Sequence, residues 1–325
     1  MDSQQSKRQI CDAHTIRNAR WSQEYCMAKF NYTIRGYSRA AFRTGFYIPE
    51  LGIMLDAGPQ CFNCPKEIFI THCHGDHIAE LPFTFFGYNA SSENENGEKE
   101  YDVPNLYGPK GSHKFVHRYL ESTFQMNMMA EIQDVNSYYN YKEVVEEDIL
   151  NLNIKNNEIV VNVIKCDHSV PTVSYLFSTV KKKLKQEYYN IADNSAKIVA
   201  LKKQGVEITE PVEKQLFAYV CDCSIKTVER YEGKLATYPY VIIECTFILD
   251  DELENAKETK HIHWKQLEKF VAKYPDTIWI LIHFSLRYKD SEIQEFFKEY
   301  LEKYQNLHIW ASSLSSKNTT PPLFI

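Results

Sequence analysis

The sequence predicts one layered α/β domain. Short runs rich in β-branched and aromatic residues recur through both halves of the 325-residue chain and alternate with segments of helical periodicity. A composition that is 44% hydrophobic is enough to build one substantial core. Because no proline- or glycine-rich linker separates the two halves, we expect a single domain over 1–325 with loop insertions.

Seven runs are predicted to be strands. In chain order they are GFYI near 45, GIMLDAG near 52, EIFITH near 67, EIVVNVIKCDH near 158, FAYVCDC near 217, YVIIECTF near 240 and TIWILIH near 277. Helices are predicted to begin near Ser112, Trp264 and Ser291, where apolar side chains repeat on one face. The acidic segment 90–102 is predicted to be a loop, and 312–325 a polar C-terminal tail.

Composition limits the compartment and the partners. No apolar run is long enough to span a membrane, and the amino-terminal residues lack the apolar stretch of a signal peptide, so we expect an intracellular protein, cytoplasmic or nuclear. Nine cysteines, an odd number, fit free thiols in a reducing compartment. The net charge of -6 argues against a general nucleic-acid binder, unless a local basic segment overrides it.

Four of the predicted strands end on side chains that can bind a metal ion. The carboxyl ends of strands that run in the same direction meet at one edge of a sheet, so ligands distant in sequence can converge there. The residues concerned are His72, the pair Asp167 and His168, Asp222, and His283.

The segment HCHGDH after the third strand has the spacing of a two-metal motif. His72 and His74 are two residues apart, which places both rings on the same side of an extended segment. Asp76 and His77 follow a turn at Gly75 and are aimed at a different point. Imidazole with carboxylate suits Zn²⁺, Mn²⁺ or Fe²⁺. Two such ions about 3.5 to 4 Å apart can clamp both oxygens of a displacement.

The order of motifs resembles a known family. ITHCHGDHIAELP, LYGPKG, DHSVPTVSY, IIECTF, KHIHW and LIHFSLRY follow one another as in short-form tRNase Z (ribonuclease Z) of the metallo-β-lactamase superfamily. Enzymes of this family remove the 3′ trailer of precursor tRNA. The resemblance runs from about Gly36 to Tyr288, and it implies an αββα four-layer sandwich with an inserted substrate arm.

The resemblance also implies a role for each residue of the motifs. His72, His74 and His168 would hold one zinc ion, Asp76, His77 and His283 the other, and Asp222 would bridge the two. The cofactor is therefore expected to be two Zn²⁺ per subunit, with Mn²⁺ or another divalent ion as an alternative. The pair lowers the pKa of bound water to about 7 for attack on the phosphodiester, and Asp76 is expected to orient or deprotonate that water.

Cleavage next to the discriminator nucleotide makes the tRNA 3′-oxygen the leaving group, which requires an acid. The resemblance implies that Glu244 holds a protonated His261, which gives up its proton. His263 is the rival donor. An alternative interpretation makes Glu244 only a structural partner of a lysine or a backbone amide, because a buried carboxylate must be paired.

A lysine-rich segment lies between the His168 and Asp222 motifs. Residues 181–205 carry seven lysines and two acidic residues, a net charge of +5. A solvated helix face is the plain interpretation. The resemblance instead implies that 179–212 is the tRNA-binding arm of a homodimeric enzyme, so precursor tRNA and a second subunit are the expected partners. The candidate substrate-binding residues are Lys181, Lys182, Lys183, Lys185, Lys202 and Lys203.

Three segments depart from the family pattern. Cys221 stands where a glycine is usual, ECTF replaces the commoner HEAT, and GYSRAAFRTG lacks the PxKxRN loop that helps to position the tRNA end. Arg35, Arg39 and Arg43 are candidates to take over that role.

Two other functions are compatible with the same motifs. The metals could hydrolyse a small phosphodiester such as a cyclic nucleotide, or the chain could be a non-catalytic RNA-binding scaffold. The basic arm argues against the first and the intact ligand set argues against the second.

Overall fold

A computed structural model describes residues 23–61, 63, 65–85, 90–93, 99–101, 103–131, 135–155 and 157–311. The predicted polar tail 312–325 lies outside these residues. The described strands are β1 (Glu24–Met27), β2 (Tyr32–Arg39), β3 (Arg43–Ile48), β4 (Ile53–Leu55), β5 (Glu67–Phe69), β6 (Ala90–Glu93), β7 (Lys99–Tyr101), β8 (Asn105–Pro109), β9 (Asn140–Val144), β10 (Ile149–Ile154), β11 (Asn157–Lys165), β12 (Val173–Leu184), β13 (Thr209–Val220), β14 (Tyr240–Glu244), β15 (Ile278–Ile282) and β16 (Leu307–Ile309).

The described α-helices are mostly short. They are α1 (Gly75–Ile78), α2 (Leu81–Phe85), α3 (His113–Met128), α4 (Ser195–Lys203), α5 (Ile225–Leu235), α6 (Leu253–Thr259), α7 (Trp264–Lys273) and α8 (Asp290–Lys303). Short 3-10 helices add Val135–Tyr138, Gln186–Ile191 and Asp250–Glu252. Among the described residues, every helix is too short or too polar to cross a bilayer.

Two seven-stranded sheets form the centre of the domain. The first has the order β1-β2-β3-β4-β5-β8-β9 and the second the order β10-β11-β12-β13-β14-β15-β16. Strands β4, β5, β8 and β9 are parallel to one another, as are β13 to β16. The carboxyl ends of these strands therefore meet along one edge of each sheet.

The main core lies between the two sheets because side chains alternate along each strand. In β13, Phe217 and Tyr219 belong to the core between the sheets, whereas Ala218 and Val220 belong to the layer beneath the helices. Phe69 of β5 packs edge-on against Phe177 of β12, with ring centroids 5.1 Å apart. Aromatic pairs of this kind join the two sheets.

Helices cover the outer face of each sheet. Leu120 and Phe124 of α3 pack against the first sheet with α2. Trp264 of α7 and Phe297 of α8 pack against the second sheet, together with Val228 of α5. The layer order is thus helix, sheet, sheet, helix, and the αββα sandwich predicted by the sequence is confirmed.

All seven predicted strand runs contain a strand in the structure, and helices start within two residues of the predicted positions. The prediction for 90–102 is wrong in part, because β6 and β7 pair there as an antiparallel hairpin. Five of the seven residues in these two short strands are serine, glutamate or lysine. Alternation of polar and apolar residues is the signal by which a strand is recognised, and the sequence of this hairpin offers almost none.

The lysine-rich segment forms a two-stranded ribbon with a helical tip. Strand β11 pairs with β12 only as far as Thr179, while β12 and β13 remain paired with each other out to Leu184 opposite Thr209. The tip between them contains a 3-10 helix and α4. The ribbon therefore leaves the sheet as a separate projection over roughly the range predicted for the arm.

Candidate metal centre

Four strand ends and one short helix bring the seven predicted ligand side chains to one place. His72 follows β5, His168 follows β11, Asp222 follows β13 and His283 follows β15. The backbone of His283 has a φ of +64°, a left-handed conformation that is uncommon outside glycine and is often found at functional sites. The remaining ligands lie in and just before α1; they are His74, Asp76 and His77.

One half of the centre gathers three imidazoles and one carboxylate oxygen. His74 Nδ1 lies 3.1 Å from His72 Nε2 and 3.4 Å from His168 Nε2. Asp222 Oδ2 lies 3.5 Å from His72 Nε2 and 3.8 Å from His168 Nε2. These four ligand atoms all lie within 4.8 Å of one another.

The other half uses the second oxygen of the same aspartate. Asp222 Oδ1 lies 3.4 Å from His77 Nε2 and 3.2 Å from His283 Nε2. Asp76 Oδ2 lies 3.6 Å from His77 Nε2 and 3.4 Å from His283 Nε2. The two oxygens of Asp222 thus face different ligand groups.

These distances fit divalent metal ions. Four ligand atoms at 2.0 to 2.1 Å from an ion in tetrahedral geometry are separated by about 3.3 Å, close to the spacings in both halves. His77 Nε2 is buried and has no hydrogen-bond partner, although buried polar atoms are normally satisfied. The donor set and this orphaned nitrogen together suit a divalent cation.

The electrostatic environment of the ligand histidines also favours binding of a metal cation. Burial lowers the pKa of His72 well below its usual value, so its ring is neutral and able to bind a metal at neutral pH. Burial also opposes a charge on His77, but the carboxylates of Asp222 and Asp56 raise the pKa of that ring well above its usual value. A field that favours a proton on His77 also favours a metal cation.

The second ring nitrogen of four ligand histidines contacts a fixed polar group, which orients the ring. His72 Nδ1 lies 3.0 Å from Thr71 Oγ1, and His168 Nδ1 lies 3.3 Å from the Lys260 carbonyl. The corresponding contacts of the other two are His77 Nδ1 to Asp56 Oδ2 at 3.0 Å and His283 Nδ1 to Thr246 Oγ1 at 3.0 Å.

Asp56 is the functional residue that the sequence reasoning missed. It is completely buried, and it accepts hydrogen bonds from Thr71 N at 2.7 Å and from the Tyr219 hydroxyl at 2.7 Å in addition to its contact with His77. Because Tyr219 belongs to the second sheet, Asp56 ties the two sheets together beneath the centre. The available signal was an aspartate directly after the apolar strand IML, the same strand-end position that marked Asp222.

Cys221, which departs from the family pattern of the sequence, directly precedes Asp222 in the chain. It is fully buried, and its Sγ lies 3.2 Å from Asp222 Oδ1 as a thiol donor. Burial raises the pKa of this thiol well above its usual value, so it stays protonated. The cysteines in the part of the chain that the structure describes are free thiols, as predicted.

The buried Glu244 pairs with the half-buried His261 beside the centre. His261 Nδ1 lies 2.9 Å from Glu244 Oε1, and the glutamate also accepts hydrogen bonds from Cys223 N at 2.7 Å and Ile262 N at 3.1 Å. Burial lowers the pKa of His261, but the negative charge of Glu244 outweighs it and raises that pKa to about 9. The ring therefore carries a proton at neutral pH.

His263, the rival proton donor, is engaged in structure. Its side chain is fully buried, its Nε2 donates to the Leu249 carbonyl at 2.7 Å, and its Nδ1 accepts from Lys265 N at 3.1 Å at the start of α7. Both ring nitrogens are occupied within the fold, so His263 is a helix-capping residue.

We expect His263→Ala to lower the free energy of unfolding by about 1 to 3 kcal/mol, because it removes the cap and leaves the Leu249 carbonyl without its donor. Urea unfolding measures the loss. The matched variant His263→Asn keeps a capping side chain and should recover part of it. A proton donor would instead show an unchanged unfolding midpoint and a large loss of catalytic rate.

Arg39, one of three arginines considered for the tRNA end, is used by the fold. Its guanidinium is buried, donating to Asp290 Oδ1 at 3.0 Å, to the Ser285 carbonyl at 3.0 Å and to the Tyr288 carbonyl. These contacts fix the HFSLRY segment that carries His283, so the expectation for Arg39 is wrong. Of the other two, Arg35 pairs with Glu24 at the surface, and Arg43 pairs with Glu80 in a partly buried contact.

A cleft of about 640 Å³ opens above the centre. The metal-ligand side chains His74, Asp76, Asp222 and His283 form one wall together with His261. The remaining walls combine apolar and hydrogen-bonding groups, which is common in ligand sites. They include Ala40, Ala41, Phe247, Asn255, Leu286 and Arg287.

The fold is that of the metallo-β-lactamases. The chain superposes on the metallo-β-lactamase fold protein YhfI of Bacillus subtilis with a TM-score of 0.54 and 13% identity, covering 85% of this chain and 95% of that one. It superposes on the short form of human tRNase Z with a TM-score of 0.50 and 16% identity over the same fractions. No protein-family model matches the chain.

Sequence similarity narrows the class further. The chain is 27% identical over 272 residues to tRNase Z TRZ1 of Arabidopsis thaliana, which covers 81% of this chain and 89% of that protein. The resemblance predicted from the order of motifs is therefore confirmed: the chain is a relative of the tRNase Z proteins.

Proposed function

We propose that this chain is a zinc-dependent tRNA 3′-processing endoribonuclease. The observation that carries the proposal is the position of Asp222, whose two oxygens face two separate ligand groups in a chain similar to tRNase Z over most of its length. Cleavage would leave a 3′-hydroxyl on the tRNA and a 5′-phosphate on the trailer.

Seven side chains would hold two zinc ions. His72, His74 and His168 would bind one ion and Asp76, His77 and His283 the other, with Asp222 shared. When bound, the metals supply Lewis acidity toward the phosphate and a more nucleophilic water. Mn²⁺ offers the same chemistry with a similar preference for nitrogen and oxygen ligands.

Asp76 positions the attacking water in this proposal. The backbone N–H of Ala41 donates to Asp76 Oδ2 at 2.8 Å, which holds the carboxylate at the wall of the cleft. Ala41 has a left-handed φ of +58° at the tip of the β2–β3 hairpin, so this contact depends on the shape of that turn. The hairpin thereby contributes to the site through its backbone, in place of the basic loop of other family members.

His261 is the proton donor to the 3′-oxygen in this proposal. Glu244 keeps the proton on the ring at neutral pH and occupies Nδ1, which leaves Nε2 to face the substrate. Thr246 supports the pair, since its hydroxyl donates to Glu244 Oε2 at 2.6 Å and lies 3.0 Å from His283 Nδ1. One hydroxyl therefore links the acid to a ligand of the centre.

The arm holds the tRNA away from the centre in this proposal. Of its six candidate lysines, Lys185 is half-buried and the others are exposed along the ribbon and at the end of α4. Lys183 Nζ lies 5.7 Å from the Tyr189 ring centroid, so charge and an aromatic face occur together at the tip. Such contacts hold RNA by charge and shape.

Removing the arm is expected to separate the two enzymatic hypotheses. Lys182 and Pro211 are opposite one another in the ribbon, so residues 183–210 can be replaced by a two-residue Asn-Gly turn. We expect cleavage of precursor tRNA to be abolished, whereas hydrolysis of a small aryl phosphodiester should persist. Equal loss of both would exclude recognition of tRNA by the arm.

The direct test is to map the cut. The purified protein is incubated with trailer-bearing precursor tRNA and Zn²⁺ or Mn²⁺, and His74→Ala serves as the inactive control. A cut next to the discriminator nucleotide supports the proposal, and a cut elsewhere rejects it. Light scattering on the same preparation tests whether the chain is a homodimer. The cytoplasmic or nuclear compartment stays a prediction from the sequence.

A further inference from the structure

A second cavity adjoins the metal centre at His168. It has a volume of about 630 Å³, within the range of sites that hold small ligands. Loop 166–172 between β11 and β12 forms its floor, and the first turns of α5 form one side. We call it the basic groove, because four cationic side chains line it: Lys165, Lys226, Arg230 and Lys260.

The charge of the basic groove is only partly neutralised. Lys260 Nζ pairs with Asp167 Oδ1 at 2.9 Å, and Arg230 pairs at the rim with Glu146 at 2.6 Å. With these two carboxylates counted, the groove keeps a net charge of +2. Lys165 and Lys226 are exposed, and neither forms an ion pair with a carboxylate in the described part of the chain.

Asp167 is engaged by groups other than Lys165 and Lys226. Both of its oxygens are occupied, Oδ2 by the Ser224 hydroxyl at 2.7 Å and Oδ1 by Lys260. Lys260 Nζ also lies 3.3 Å from the His168 carbonyl, and its own carbonyl contacts the His168 ring. The groove is therefore joined to the metal centre through fixed hydrogen bonds, and its two unpaired lysines face solvent beside them.

We propose that the basic groove binds a backbone phosphate of the RNA next to the scissile one. The inference rests on the proposed endoribonuclease function and extends it to Lys165 and Lys226 as positioning residues. An RNA strand whose scissile phosphate lies at the metal centre must carry its neighbouring phosphates away along the surface, and the groove is a cationic surface in direct contact with a ligand of that centre. The phosphate could come from the trailer or from the tRNA strand.

The test compares Lys165→Ala, Lys226→Ala and the double variant with wild type, using Lys298→Ala on the exposed face of α8 as the matched control. For precursor tRNA we expect the double variant to raise KM about 10-fold with kcat nearly unchanged. The negative slope of log affinity against log salt concentration should become shallower by roughly 0.7 for each phosphate that the variant no longer neutralises. Lys226→Arg should retain most of the wild-type affinity, because it keeps the charge.

A series of trailers identifies the source. If the trailer supplies the phosphate, the defect disappears when the trailer is one nucleotide long; if the tRNA strand supplies it, the defect is the same at every length. Binding of precursor tRNA, measured by fluorescence anisotropy, tests the groove even if wild type fails to cut, a result that would reject only the proposed function. A double variant that binds RNA and responds to salt as Lys298→Ala does would overturn the inference.

Discussion

Asp222→Asn is expected to lower kcat/KM for precursor tRNA by at least ~10³-fold, because one side chain serves both halves of the centre. Its two oxygens lie 3.2 to 3.8 Å from four imidazole nitrogens, and the side chain is almost fully buried. Burial alone would raise the pKa of Asp222, but His283, His77 and His72 hold that pKa well below its usual range. Asparagine keeps the shape and removes the charge that would attract two cations.

The metal content of Asp222→Asn after dialysis is a second, independent test of the same role. We expect bound zinc to fall from two ions per chain toward one or fewer, since the shared anionic ligand is lost. Asp250→Asn is the matched control, an exposed carboxylate that pairs with Lys265 at the surface. Full metal content together with full activity in Asp222→Asn would contradict the role of Asp222 as the ligand shared by the two ions.

His261→Ala is expected to have the second largest effect, and the effect should depend on the leaving group. Loss of a general acid costs about 10² to 10⁴ in rate when the leaving group must be protonated, as the ribose 3′-oxygen must. A nitrophenolate leaves without a proton, so hydrolysis of a nitrophenyl phosphodiester should fall far less. Measuring both substrates with one enzyme preparation separates the effect of proton donation on the rate from effects on metal binding and folding.

Two companions complete this experiment. Glu244→Gln should lower the RNA rate in the same direction, because it removes the charge that keeps the proton on His261. His263→Ala, which loses a helix cap, should reduce stability and leave the difference between the two substrates intact. Equal losses on both substrates in His261→Ala would show that His261 is a structural or ligand-positioning residue. Another group would then have to donate the proton.

Local sequence was sufficient to locate the strand ends that supply the centre. Runs such as EIFI and TIWILI predict buried strands, and the histidines that follow them within two residues, His72 and His283, lie at the common edge in the structure. The spacing within HCHGDH was equally informative, since His74 and Asp76 face opposite halves of the centre. Strands that were not predicted, among them β2, β8 and β12, lie in segments where polar or glycine residues interrupt the apolar pattern or lysines follow it.

Function within the site was less visible, because it depends on partners far away in sequence. His261 and His263 are alike in the motif KHIHW, yet Glu244 pairs with one and raises its pKa, while Leu249 and Lys265 make the other a cap. Arg39 was a candidate to position the tRNA end, but in the structure its buried guanidinium donates to carbonyls of the HFSLRY segment.

The sequence by itself determined the layered α/β class and the candidate ligands at the strand ends, because strand patterning and residue spacing are properties of neighbours along the chain. The tRNA-binding arm was implied by the family resemblance and stays a prediction. Only the tertiary structure decided which nitrogen faces the centre, that Asp56 supports His77 from below, and that Lys165 and Lys226 share a groove with His168. Asp56 and His77 are 21 positions apart, and Lys226 is more than 50 positions from Lys165 and His168, so these contacts exist only after the chain has folded.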